Sequence, residues 1–326
     1  MTSKNRTPTS LQDGEIIRHA ERDEFHEVLE LLRLAFPQVP SRYFESIVLD
    51  DPEYDPRYSL VIEQNGKFIS HLQIFARLMK IGDRSVRFGG IGSVGTPPLY
   101  RRRGYATQLL RYAVEFMEKE GFAGSLLFTG IQSFYAKLGW MSIHRRQIEL
   151  PLAGITSDLS PDARLRPMTE EHLPDVSSLA DSFHPDCPGR VVREKGYWLR
   201  NRPWLYEDKR WVLLKKGFLG GFICCRPWTD QALLITEFAY DAERLTPSDF
   251  FSALHQIAYQ SESRRILGSF LFDTNLRTYL ENSTLAYQEQ IDSCMMWRDL
   301  GKHSCYKELE KSVQEGTFLF WETDAF

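Results

Sequence analysis

Ile91-Gly92-Ser93-Val94-Gly95-Thr96-Pro97-Pro98-Leu99-Tyr100-Arg101-Arg102-Arg103-Gly104-Tyr105-Ala106 is the stretch on which the reading of this chain turns. Ile91 and Val94 suit a strand, and Pro97-Pro98 must stop it, because proline brings no N–H to a ladder. From Ala106 the apolar residues Leu109, Leu110, Ala113, Val114, Phe116 and Met117 recur at helical spacing, and Gly121 suits the helix end. A buried strand over 125–128 and a short helix near Phe134-Tyr135-Ala136 follow. Strand, turn, helix, strand and short helix make an α/β unit.

The turn carries the chemistry. Arg101 to Ala106 lies at a helix N-terminus, where backbone N–H groups are unpaired and the helix dipole favours negative charge. Gly104 lets a ligand approach the backbone, Ala106 adds little bulk, and Arg101, Arg102 and Arg103 add positive charge. Together they describe a pyrophosphate site. Gly90-Ile91-Gly92-Ser93-Val94-Gly95 also fits the dinucleotide fingerprint G-x-G-x-x-G, with Glu115 at the expected distance. That fingerprint must open a helix, however, and here Thr96-Pro97-Pro98 follows.

Two segments together resemble the GCN5-related N-acetyltransferase family. Arg101-x-x-Gly104-x-Ala106 after a strand matches its acetyl-CoA signature, and Phe134-Tyr135-Ala136-Lys137-Leu138-Gly139-Trp140 is similar to its later F-Y-x-x-x-G-F segment. The resemblance covers roughly residues 15–150. It implies acetyl-CoA as co-substrate without a metal, and a diphosphate held by Arg101, Arg102, Arg103, Gly104, Tyr105, Ala106 and Thr107. It also implies a thioester and pantetheine along Val94, Gly95 and Thr96, with Gly95 permitting close approach. Tyr135 would be the acid beside the departing sulfur. Residues 41–57 would belong to the wall for the acceptor.

The 326 residues fit about two domains. A net charge of −4 argues against a nucleic-acid partner, and the arginines are too local for a polymer. No apolar run reaches the ~20 residues of a membrane span, and residues 1–14 lack a signal-peptide core. Cys187, Cys224, Cys225, Cys294 and Cys305 show no C-x-x-C spacing, so buried thiols and a cytoplasmic location are expected. Oligomeric state is not legible.

Residues 1–14 read as a disordered tail. A strand near 15–18, a helix over 23–35 and a helix-spaced segment over 41–57 come next. Gln64-Asn65-Gly66-Lys67 marks a hairpin, and a strand over 140–150 is expected to close the first domain. Residues 151–163 have linker composition. The pattern then restarts: strand and helix near 164–173, a hairpin around Lys215-Lys216-Gly217, a strand near 233–239, a helix near 248–261 and a strand at 268–272. The turn Asp241-Ala242-Glu243-Arg244-Leu245-Thr246-Pro247 is acidic where the first copy is basic, and would repel a pyrophosphate. Residues 164–326 are therefore expected to be a degenerate second copy. The fold class is α/β, two acetyltransferase-like domains in tandem, with mixed, mostly antiparallel sheets and flanking helices. This asymmetry is similar to the enhanced-intracellular-survival type, whose further C-terminal domain has no room here.

Acyl transfer requires a neutral amine, yet an alkylamine titrates near ~10.4 and is mostly protonated at neutral pH. A phenol near ~10 facing a thiol near ~8.5 makes proton donation by Tyr135 uphill by about 2 kcal/mol. His71 and His144 are the candidate bases. The apolar run 317–326 is expected to dock as a strand, and by the family resemblance the carboxylate of Phe326 would reach the catalytic centre. The expected activity is acetylation of a small-molecule or peptide amine. A non-catalytic CoA-binding module and a longer-chain acyltransferase are the alternatives.

Overall fold

The computed structural model describes residues 9–11, 14–49, 54–153, 155, 158–193, 208–228 and 231–324. The first half runs β1 (Thr9–Ser10), β2 (Ile16–His19), α1 (Phe25–Ala35), α2 (Ser41–Leu49), β3 (Ser59–Gln64), β4 (Lys67–Ile81) and β5 (Arg84–Gly95). It continues with α3 (Tyr105–Lys119), β6 (Gly124–Phe128), α4 (Gln132–Ala136), β7 (Met141–Ser142) and β8 (Arg145–Pro151). The second half has β9 (Ala163–Pro167), α5 (Leu173–Ser182), β10 (Val191–Val192), β11 (Lys209–Lys215), β12 (Phe218–Trp228), β13 (Ala232–Tyr240) and α6 (Pro247–Gln260). It ends with β14 (Arg265–Gly268), α7 (Thr274–Asn282), β15 (Gln288–Asp292), β16 (Met295–Asp299) and α8 (Tyr306–Gln314).

Local chemistry sets most of these elements. Asn65 and Gly66 both hold positive φ, as a two-residue hairpin turn requires, and Lys216 and Gly217 repeat the device between β11 and β12. In α3 the residues Leu109, Leu110, Ala113, Val114, Phe116 and Met117 form one buried stripe against the sheet.

The two sheets have the same plan. The first runs β1-β2-β3-β4-β5-β6-β16-β7, with β10 added beside β4; the second, read the same way, runs β9-β11-β12-β13-β14-β8-β15. Each has one parallel neighbour pair, β5 with β6 and β13 with β14. Each also borrows a strand. β16, from the second half, lies between β6 and β7, while β8, from the first, lies between β14 and β15. Residues 140–150, expected as one closing strand, are instead broken after Ser142, and β8 crosses to the other sheet. Burying Ile148 and Leu150 in the second core drives that exchange.

Three other expectations change. Thr9–Ser10 already pairs with β2. The strand expected at 268–272 ends at Gly268, after which Phe270 and Phe272 turn into the core. Residues 317–321 dock without strand pairing: Leu319 and Trp321 enter the second core, and Phe320 packs with the β4–β5–β6 end of the first. Buried ion pairs secure this tail, since a buried charge needs a partner. Arg193 Nε donates to Asp324 at 2.8 Å and its Nη1 to Glu237 at 2.6 Å, while Arg145 reaches Glu322 at 2.9 Å. Among the described residues no helix is long and apolar enough to cross a membrane.

Candidate active site

β5 and β6 pair in parallel only as far as Ile91 and Leu127; beyond that they part. The opening between them becomes a cleft of about 450 Å³. Val94 and Thr96 form one wall, the turn and first turn of α3 the mouth, and Phe134 and Tyr135 of α4 the opposite wall. Its volume lies within the range of small-molecule sites.

The mouth is built to meet negative charge. Gly104 is the N-cap of α3 at φ 84°, a left-handed conformation that costs glycine little, and no side chain caps the helix. The first bond of the helix runs from the Gln108 N–H to the Gly104 carbonyl at 3.0 Å. The N–H groups of residues 104–107 find no acceptor among the described residues, which is the open end of a helix dipole. Tyr105 anchors this end, its ring buried and its hydroxyl donating to Glu15 of the chain before β2.

The three arginines have three different surroundings. Arg101 donates from Nε to the Thr96 carbonyl and from Nη2 to the Ala35 carbonyl, each at 2.9 Å, so it ties the turn to the end of α1. Arg102, at φ 64°, lines the cleft. Arg103 does not; it lies over the Tyr100 ring at 5.8 Å. Gly95 is also outside the lining. A Cβ there would come within 3.1 Å of Leu32 and Phe36 side chains, so this glycine makes room for α1 and not for a ligand, contrary to expectation.

Tyr135 faces the cleft with its ring set edge-on to Phe134 at 4.9 Å and to Trp140 at 6.2 Å. Burial raises its pKa above the ordinary phenol value, so it remains a neutral O–H donor at physiological pH. Neither candidate base lines the cleft. His71 is fully buried, and burial lowers its pKa to about 4. His144 is exposed and bonds Ser293 Oγ at 2.9 Å. Phe326 lies outside the described residues.

Sequence reading missed the α1 contribution, Ala35 and Phe36, and also Tyr100 and Ile131. Only the pairing of α1 against β5 brings the first two there, and nothing local in the sequence signals it.

Residues 16–143 match the family model described as "Acetyltransferase (GNAT) domain". No curated protein matches the chain in sequence. Among solved structures it is similar to a GCN5-related N-acetyltransferase from Anabaena variabilis, at 18% identity and TM-score 0.64, covering 88% of this chain and 73% of that one. Eis1 from Mycobacterium abscessus gives 14% identity and TM-score 0.60, over 87% of this chain and 73% of that one. The N-myristoyltransferase of Saccharomyces cerevisiae, solved with bound myristoyl-CoA, gives 11% and 0.58, over 91% and 81%. At such identities these likenesses establish the fold: two sheets of acetyltransferase type in tandem. With the matched model and the fold of the structures it is similar to, residues 16–143 form a domain of the GNAT type.

Proposed function

We propose that this protein transfers an acetyl group from acetyl-CoA to a primary amine of a small molecule or peptide by direct attack. The observation that carries the reading is the uncapped end of α3, with Gly104 in a left-handed conformation, at the mouth of a cleft between parted strands. The N–H groups of residues 104–107, with Arg102 beside them, would hold the diphosphate. Arg101, which also lines the cleft, would hold the turn against α1. The backbone of Val94 and Thr96 would receive the pantetheine arm and the thioester.

The amine nitrogen then attacks the thioester carbon, the carbon–sulfur bond breaks, and the electron pair leaves on sulfur. Tyr135 donates its O–H toward that sulfur as charge builds. Its raised pKa makes complete proton transfer less favourable, so its contribution is a hydrogen bond that strengthens in the transition state. The described residues lining the cleft include neither a carboxylate nor an imidazole. The amine is therefore taken up neutral, its proton going to water, and kcat/KM should rise about tenfold per pH unit below the amine pKa.

The test is acetyl-CoA turnover against a pooled library of amines, read as free thiol, beside calorimetric titration of acetyl-CoA. Binding with thiol release supports the reading, and absence of binding by folded protein overturns it. Binding without release on any amine would select a non-catalytic CoA-binding module. A preference for a bulkier thioester would select a longer-chain acyltransferase.

A further inference from the structure

β5 contains one more residue than β4 opposite it: His71 pairs with Gly95, but Gln73 pairs with Gly92. The extra position is a bulge at Ser93, whose φ is 50° although it is not glycine. That conformation is unfavourable for serine and needs holding. The hold comes from β4. His71 Nδ1 lies 3.0 Å from the Ser93 carbonyl oxygen, and its Nε2 lies 3.0 Å from Ser59 Oγ. A carbonyl only accepts, so Nδ1 carries the proton and Nε2 accepts from the Ser59 hydroxyl. The neighbouring Ser70 Oγ donates to the Gly95 carbonyl at 3.2 Å and lies 2.8 Å from Thr96 Oγ1.

The second half supplies an internal control. β13 also gains one residue over its partner, since Cys224 pairs with Glu237 and Cys225 with Ile235, but no residue there holds a positive φ. Buried cysteines stand opposite that bulge. The histidine clamp belongs to the half that has the cleft.

We infer that His71 is a positioning residue for acyl transfer, its N–H to the Ser93 carbonyl fixing the bulge that turns the backbone of Val94 and Thr96 into the cleft. Without the extra residue, every side chain beyond it on β5 would change face. The inference rests on the acyl-CoA reading above.

Two variants and one spectrum test it. H71L removes the donor but keeps apolar volume, whereas H71N retains an N–H near the Nδ1 position. Per folded molecule, H71L should lower kcat about 100-fold, the scale of a misplaced oxyanion donor. Its CoA affinity should stay within about threefold, because the diphosphate is held by α3. H71N should recover kcat to within about fivefold of the parent. Nitrogen-15 NMR of the unsubstituted imidazole should place the proton on Nδ1, and a crystal structure of H71L should show Ser93 without positive φ. H71L with parental kcat, H71N no better than H71L, a proton on Nε2, or an intact bulge in H71L would each overturn the inference. Failure of the parent to bind acyl-CoA would overturn the functional reading instead, while the spectrum and the H71L structure would still decide what His71 holds.

Discussion

The two strand–turn–helix junctions of this chain, β5 into α3 and β13 into α6, occupy the same place in their sheets and end in opposite ways. α3 begins at Gly104 with no side-chain cap. α6 begins at Thr246 with a full capping box: Thr246 Oγ1 accepts from the Asp249 N–H at 3.1 Å, and Asp249 accepts from the Thr246 N–H at 3.2 Å. Asp249 also accepts from the Ser160 N–H at 3.0 Å and from Lys215 at 3.3 Å. Burial alone would raise its pKa, yet these hydrogen bonds outweigh it and hold the carboxyl at about 2. One helix end is left without a side-chain cap; the other is capped by the protein's own carboxylate.

The spaces behind the two helices differ in the same sense. Behind α3 the parted strands leave a cleft. The corresponding space beyond Leu234 and Leu267 is filled by rings, with Phe238 at 4.8 Å from Phe250 and 5.0 Å from Trp321, and Phe270 and Phe272 alongside. The two halves share a sheet plan but differ at this junction. We propose that the second half braces the first, contributing β16, the docked tail and its buried ion pairs.

The contrast can be broken most directly at Gly104. G104D would place a carboxylate where we propose the diphosphate binds, at the uncapped end of α3. Affinity for CoA should fall at least about 100-fold by calorimetry, with the fold retained because aspartate tolerates a left-handed conformation better than most residues.

A pH effect separates the halves next. His71 titrates near 6.5 when unfolded and at about 4 in the fold, where burial disfavours its charge. The unfolded chain therefore binds the extra proton first. Stability should be lost as pH falls from 6.5 toward 4, by about 3 kcal/mol from this residue. Urea unfolding of the parent beside H71N measures it, and the N variant should lack that increment.

Opening the second helix end sharpens the comparison from the other side. D249A should destabilise the protein by about 2 kcal/mol, through the lost cap and the acceptor lost to Ser160, while Lys215 keeps its pair with Asp162. It should not create a second CoA site, because rings fill the space behind α6, and calorimetry should still give one equivalent. The smallest effect expected is from Y135F, a fall in kcat of about tenfold with CoA affinity unchanged, seen in steady-state kinetics and calorimetry.

Much of this was legible in the sequence where short-range chemistry decides. Asn65-Gly66 and Lys216-Gly217 mark hairpins, the α3 stripe marks a helix, and Gly104 to Ala106 marks where that helix starts. What was not legible depends on partners distant in the chain. Ile148 and Leu150 declare a strand with one buried face but not whose sheet will bury it, so the crossing of β8 is silent. Three consecutive arginines look alike until α1 arrives with the Ala35 carbonyl and takes Arg101. Gly95 looks like an opening for a ligand until Leu32 and Phe36 occupy the space. The bulge at Ser93 has no glycine to announce it, and its support, His71, sits in another strand.

The most direct measurement is a nitrogen-15 NMR titration with CoA that follows the backbone amides of both helix ends in one experiment. The account predicts saturation at one equivalent, large shifts at residues 104–107, and none at Thr246, Ser248 and Asp249. Unmoved amides at 104–107 under saturating CoA, or shifts that appear at the α6 end instead, would contradict it.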